Sequence, residues 1–104
     1  MHSMNDYSSA IQLRSDRWSA LRAAAAAMSR DPKGKNAAQG RKEIEALFES
    51  LALIEPYWAF PGMSAFDHMR RQFAHGNFED LAFAVNRVTR ALTTGAYRRR
   101  TIPL

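Results

Sequence analysis

The segment from Leu51 to Gly62 constrains the fold most, because it stops an amphipathic helical pattern and replaces it with a proline-bounded aromatic run. Proline fixes the backbone angle φ and disfavours a helical residue before it. We therefore predict that the helix ends at Pro56 and that residues 56–62, called the aromatic elbow below, form a rigid corner. Three aromatic residues lie in this elbow: Tyr57, Trp58 and Phe60.

Length and composition predict one small domain. The chain has 104 residues, of which 46% are hydrophobic, enough to build a single core. It contains no cysteine, which excludes disulfides and thiolate metal sites. No apolar run approaches the roughly 20 residues that span a bilayer, and the N-terminus lacks the pattern of a signal peptide. A cytoplasmic location without membrane contact is the resulting prediction.

The first half of the chain has the pattern of two helices. Residues 6–30 predict the first, with Asp6 or Ser8 as its cap and an apolar stripe that Arg14 interrupts. Proline and glycine in residues 31–35 predict an exposed loop. The second helix is predicted from Asn36 or Ala37 to Glu55. The stripe of the first helix comprises Tyr7, Ile11, Trp18, Leu21, Ala25 and Met28, and that of the second Ile44, Leu47, Phe48, Leu51 and Ile54.

Two further helices are predicted after the elbow. Ser64 has the position of a helix cap, and Gly76 should end this third helix. Asn77 is predicted to cap the fourth helix, which ends at Gly95. The apolar stripes are Phe66, Met69 and Phe73 in the third helix, and Leu81, Ala84, Val85, Val88 and Leu92 in the fourth. Phe78 and Phe83 lie off the second of these stripes, so we expect one of them to be exposed.

These patterns predict the fold class and the domain organisation. No segment alternates with the period of two that half-buried strands show. The prediction is therefore an all-α fold, a small antiparallel four-helix bundle with the elbow between helices 2 and 3. Residues 1–104 form a single helical domain, in which residues 1–5 and 98–104 are extended or disordered. The extended ending suggests the N-terminal part of a longer chain.

No set of residues predicts catalysis. His68 and His75 are seven positions apart, about 10 Å along a helix, which is too far for one metal ion. Asp67 and His68 are neighbours in sequence, so their side chains point about 100° apart on a helix and do not form a dyad. Ser64 lacks the G-x-S-x-G context of a nucleophile. We therefore predict no catalytic, cofactor-binding or metal-binding residue in this chain.

The charge pattern and the aromatic residues favour an interaction surface. Residues 64–104 contain seven arginines against three acidic residues, a balance that suits nucleic acid or an acidic protein. The elbow aromatics do not interleave with arginine, so nucleic acid is disfavoured and a protein partner is preferred. The candidate interface residues are Trp18, Tyr57, Trp58, Phe60, Tyr97, Arg98, Arg99 and Arg100.

Three segments carry a resemblance to a known family: residues 41–48 (RKEIEALF), 53–62 (LIEPYWAFPG) and 90–100 (RALTTGAYRRR). Together they resemble the N-terminal segment of large bacterial decarboxylases of the ornithine/lysine/arginine group, which depend on pyridoxal phosphate. The resemblance covers about residues 40–104. Its strongest part is the aromatic elbow, and it includes no catalytic motif.

The resemblance implies that this chain precedes a response-regulator-like wing domain and a cofactor-binding domain. Those domains would supply the Schiff-base lysine, the phosphate ligands and the substrate pocket, so the cofactor belongs to the parent enzyme and not to this segment. The implied role is a non-catalytic accessory or oligomerisation domain whose partner is the rest of the enzyme or another subunit. Association of identical chains is a further possibility. The alternative is a stand-alone module that binds protein, or weakly nucleic acid, through its C-terminal arginines.

Overall fold

The computed structural model describes residues 4–55 and 63–93, and these residues form a bundle of α-helices. Four helices are present in this part of the chain, and none of its residues forms a strand, which confirms the all-α prediction. They are α1 (Met4–Arg30), α2 (Ala37–Ile54), α3 (Met63–Ala74) and α4 (Phe78–Thr93). None of the described helices carries an apolar stretch long enough to cross a membrane.

Helices α1 and α2 form an antiparallel hairpin around the loop at residues 31–36. Near the loop, Gly40 lies so close to Met28 that an added Cβ would come within 2.7 Å of the methionine sulfur. Farther away, Arg17 Nε donates a hydrogen bond of 3.0 Å to Ser50 Oγ. Positions on α2 therefore rise as the opposing positions on α1 fall, as in a hairpin of two long helices.

Helix α1 packs against both α2 and α4, and α3 packs mainly on α4. The middle of α1, from Ile11 to Arg22, lines a cleft together with Thr89 and Leu92 from the end of α4. Helix α4 therefore also runs antiparallel to α1, and α2 and α4 run in the same direction. Leu81, Val85 and Val88 form the buried face of α4, as its periodicity predicts.

A chain of aromatic rings joins all four helices at the centre of the bundle. Trp18 and Phe66 have ring centroids 6.4 Å apart, and Phe66 lies 5.6 Å from Phe48. Phe73 continues the chain, with centroids 5.7 Å from Phe48 and 6.1 Å from Phe78. All four contacts are edge-to-face, the arrangement that aromatic pairs prefer. These rings are where α3 reaches α2.

The ends of the helices differ from the predicted ones in a few places. Met4 and Asn5 belong to α1, where extended or disordered chain was expected, and Asp6 and Ser8 lie within this helix and not at the predicted position before it. Residues 1–3 and 98–104 lie outside the described part of the chain.

Gly76 ends α3 as predicted, through a Schellman motif. Its φ is 78°, its N–H donates to the carbonyl of Phe73, and the N–H of Asn77 donates to the carbonyl of Gln72. Asn77 directly precedes α4, and its carbonyl accepts the first backbone bond of that helix, from Leu81. Its side-chain amide nitrogen donates to Gln72 Oε1 at 2.9 Å, which ties the turn to α3. The predicted cap by its side-chain oxygen is not among the hydrogen bonds of the described residues.

Substituting Gly76 with alanine should lower the free energy of unfolding by about 1–2 kcal/mol, because an L side chain is strained at positive φ. No atom lies within 4 Å of the added Cβ, so the cost comes from the backbone alone. Gly76→Asn is the matched control and should cost less, since asparagine tolerates this conformation. Urea unfolding followed by circular dichroism measures both variants, and equal losses would contradict the assignment.

Candidate functional site

The most unusual polar feature in the described residues is a buried ion pair between α1 and the end of α2. Arg14 and Glu55 are the polar or charged residues among those described that the bundle buries, with 7% and 1% exposed. Charged side chains are almost never this buried unless they are paired. The pair therefore needs an explanation, in structure or in function.

The geometry of this pair is that of a bidentate salt bridge. Arg14 Nε donates to Glu55 Oε2 at 2.6 Å, and Arg14 Nη2 donates to Oε1 at 2.8 Å. Trp18 Nε1 donates a third hydrogen bond, to Oε2 at 3.0 Å. Parallel hydrogen bonds of this kind are both strong and specific in direction. The carboxylate is thus held by three donors, all of which come from α1.

Helical periodicity places both donors of α1 on one face. Arg14 and Trp18 are four residues apart, one turn of the helix, and Leu21, Ala25 and Met28 continue the same buried stripe. Ile11, predicted on this stripe, is instead 42% exposed. The sequence pattern predicted that Arg14 interrupts the stripe, and this prediction was wrong. Arg14 is a member of the buried stripe, and Glu55 supplies its counter-charge.

Glu55 lies one turn beyond Leu51 on the buried face of α2, and its backbone N–H donates to the carbonyl of Leu51. The C-terminal end of a helix carries a partial negative charge, so a carboxylate is disfavoured at this position. Arg14 offsets that repulsion by bringing a positive charge to the same point. The ion pair thus stabilises the residue that directly precedes Pro56 and the aromatic elbow.

A sequence signal for this pair exists, although it was missed. Each of the two apolar stripes is extended by one charged residue, and the two charges have opposite signs. Arg14 lies one turn before Trp18, and Glu55 lies one turn after Leu51. A hairpin that turns at residues 31–36 brings these two positions opposite each other. The signal is therefore visible only once the two helices are paired, and not in either pattern alone.

Of the predicted interface residues, Trp18 is the one that lies in the described part of the chain. It is a core residue with 1% exposed, so its assignment to an interaction surface was wrong. Its indole ring packs on Phe66 while its N–H reaches the carboxylate of Glu55. The other candidates lie outside the described residues: Tyr57, Trp58, Phe60, Tyr97, Arg98, Arg99 and Arg100.

A cleft of about 270 Å³ lies between α1 and α4, next to the ion pair. Ser15 and Ser19 contribute hydroxyls to it, and Arg22 contributes a positive charge. The described residues that line this cleft include no histidine and no carboxylate, so they provide no base to activate a serine. His68 and His75 are exposed on and just after α3. No group of metal-binding side chains forms within residues 4–55 and 63–93.

Comparison of the chain with models of protein families, with curated proteins and with solved structures finds no match.

Proposed function

We propose that the chain is a non-catalytic helical accessory domain of a decarboxylase that uses pyridoxal phosphate and acts on ornithine, lysine or arginine. The proposal rests on the three segments quoted above, which resemble the N-terminal part of such enzymes. Their place in the fold is consistent with a packing role. The first segment lies in α2, where Ile44 and Phe48 are core residues, and the third begins in the last turn of α4.

The observation that supports an accessory role most directly is the ion pair of Arg14 and Glu55. Both charges bind each other inside the bundle, and their hydrogen bonds hold the end of α2 against α1. The residue fixed in this way directly precedes the aromatic elbow, the strongest part of the resemblance. We infer that the bundle sets the position from which residues 56–62 contact the wing domain or a neighbouring subunit of the enzyme.

An assay of the isolated chain tests the absence of catalysis. The purified chain, supplied with pyridoxal phosphate and with ornithine, lysine or arginine in turn, should release no carbon dioxide. A full-length decarboxylase of this group is the positive control in the same assay. Turnover by residues 1–104 alone would contradict the proposal.

The reading frame that encodes this chain tests whether it belongs to a decarboxylase. We expect the reading frame that encodes this chain to continue into a wing domain and a domain with a Schiff-base lysine. A frame without them would overturn the decarboxylase assignment. The alternative, a nucleic-acid-binding module, predicts binding to a random-sequence duplex that weakens steeply as salt increases. Such binding would favour the alternative over the accessory domain.

A further inference from the structure

Two large hydrophobic side chains are more exposed than any others in the described residues. Leu53 on α2 is 76% exposed, and Phe83 on α4 is 68% exposed. Single exposed hydrophobic residues are common on protein surfaces and need no partner to explain them. These two differ because each is followed, in one direction along its helix, by two exposed charges of the same sign.

On α2, the row consists of Glu45, Glu49 and Leu53, which follow one another at intervals of four residues. All three are exposed, and they fall on one side of the helix. Carboxylates four residues apart repel each other mildly unless a cation lies between them. No described side chain supplies one, because neither glutamate forms an ion pair within the described part of the chain. We call these three residues the acidic row.

On α4, the row consists of Phe83, Arg87 and Arg90. These residues are again exposed and lie on one side of the helix. The two arginines repel each other as the two glutamates do, and among the described residues neither has an acidic partner. We call these three residues the basic row.

The two rows match when the helices are placed antiparallel. With Leu53 beside Phe83, a step of four residues in opposite directions places Glu49 beside Arg87. A further step, of four residues on α2 and three on α4, places Glu45 beside Arg90. The rise of about 1.5 Å per residue gives about 12 Å along the acidic row and about 10.5 Å along the basic row. The two apolar side chains thus contact each other, and each carboxylate lies beside a guanidinium.

This match cannot form within one chain. Helices α2 and α4 run in the same direction, since each is antiparallel to α1, whereas the rows match only in opposite directions. Helix α1 contacts both of them, and both rows face away from the bundle. Within residues 4–55 and 63–93, neither row therefore finds its complement in the same molecule.

We propose that the acidic row of one copy of this chain binds the basic row of a second copy. Each copy carries both rows, so two copies can join through both at once across a two-fold axis. Alternatively they join through one row each, which leaves a free row on each copy and continues to a ring or a short filament. The rows are small, which makes the association weak and dependent on concentration. This inference goes beyond the proposed function, because contact between copies requires no decarboxylase parent.

Charge reversal tests the contact without altering the core. One variant carries Glu45→Arg and Glu49→Arg, so both of its rows are basic; a second carries Arg87→Glu and Arg90→Glu, so both are acidic. Each variant alone should associate at least about tenfold more weakly than the wild type. An equal mixture should recover association, because each basic row then meets an acidic one.

Analytical ultracentrifugation over about 1 µM to 1 mM measures association, and circular dichroism checks that every variant folds. The matched control reverses Lys33 and Lys35 to glutamate in the loop between α1 and α2, which changes the net charge as much as the second variant does. This control should associate like the wild type. A monomeric wild type, an unchanged variant, a weakened control or a mixture that does not recover would each overturn the proposal.

Discussion

Glu55→Ala is expected to lower the free energy of unfolding by about 3–5 kcal/mol, the largest effect we expect from any charged residue of the described chain. The substitution removes the carboxylate that balances the buried charge of Arg14 and accepts the N–H of Trp18. A charge that stays buried after losing its counter-ion costs far more than an exposed ion pair contributes. Small domains are stable by only about 5–15 kcal/mol, so this variant should be close to unfolding.

Urea unfolding followed by circular dichroism measures this loss at low protein concentration, where association between copies does not contribute. Glu49→Ala is the matched control on the exposed side of α2. The control should change stability by no more than about 0.5 kcal/mol. A second comparison uses Arg14→Met combined with Glu55→Leu, which removes both charges and keeps similar volume. This pair should recover most of the loss, because no charge remains buried. A loss below about 1 kcal/mol for Glu55→Ala would show that the carboxylate is not desolvated as described.

Phe66→Ala is expected to cost about 3–5 kcal/mol, because Phe66 is the ring through which α3 contacts both α1 and α2. It is 1% exposed, so truncation removes buried surface and leaves a cavity that close-packed neighbours fill only in part. The loss of its two edge-to-face contacts adds to this cost. The expected result is a large fall in the urea midpoint.

Phe83→Ala makes the same chemical change on a ring that is 68% exposed, and it should change stability by no more than about 0.5 kcal/mol. Both variants are compared at low protein concentration, so that association between copies does not contribute to stability. Similar losses for the two substitutions would contradict the assignment of Phe66 to the core.

The sequence predicts helices well here because their apolar residues recur with a helical period. The interior residues Leu51, Met69 and Val85 all lie on stripes that the spacing identifies, and Gly76 ends α3 where an L residue would be strained. Phe78 and Phe83 lie off the stripe of α4, and in the structure Phe83 is exposed and Phe78 is buried. Single-helix patterns cannot decide that question, because it depends on where α3 packs.

The ion pair could not be predicted from local pattern because its partners are 41 positions apart. An arginine inside an apolar stripe has the same appearance whether it interrupts the stripe or carries its counter-charge with it. Trp18 illustrates a related limit. A tryptophan in a small bundle suits a core or an interface equally well, and the choice depends on whether another element supplies an acceptor for its N–H.

The buried charges also have a consequence for which alignment of α1 on α2 the chain adopts. Residues 23–27 of α1 are all alanine, so this part of α1 has no large side chain to oppose a shift of a partner helix by one turn, about 5.4 Å. A slide of that size would move Arg14 away from Glu55 and leave both charges facing hydrocarbon. We infer that the pair, together with the close contact of Gly40 and Met28, fixes the alignment of the two helices and disfavours shifted packings.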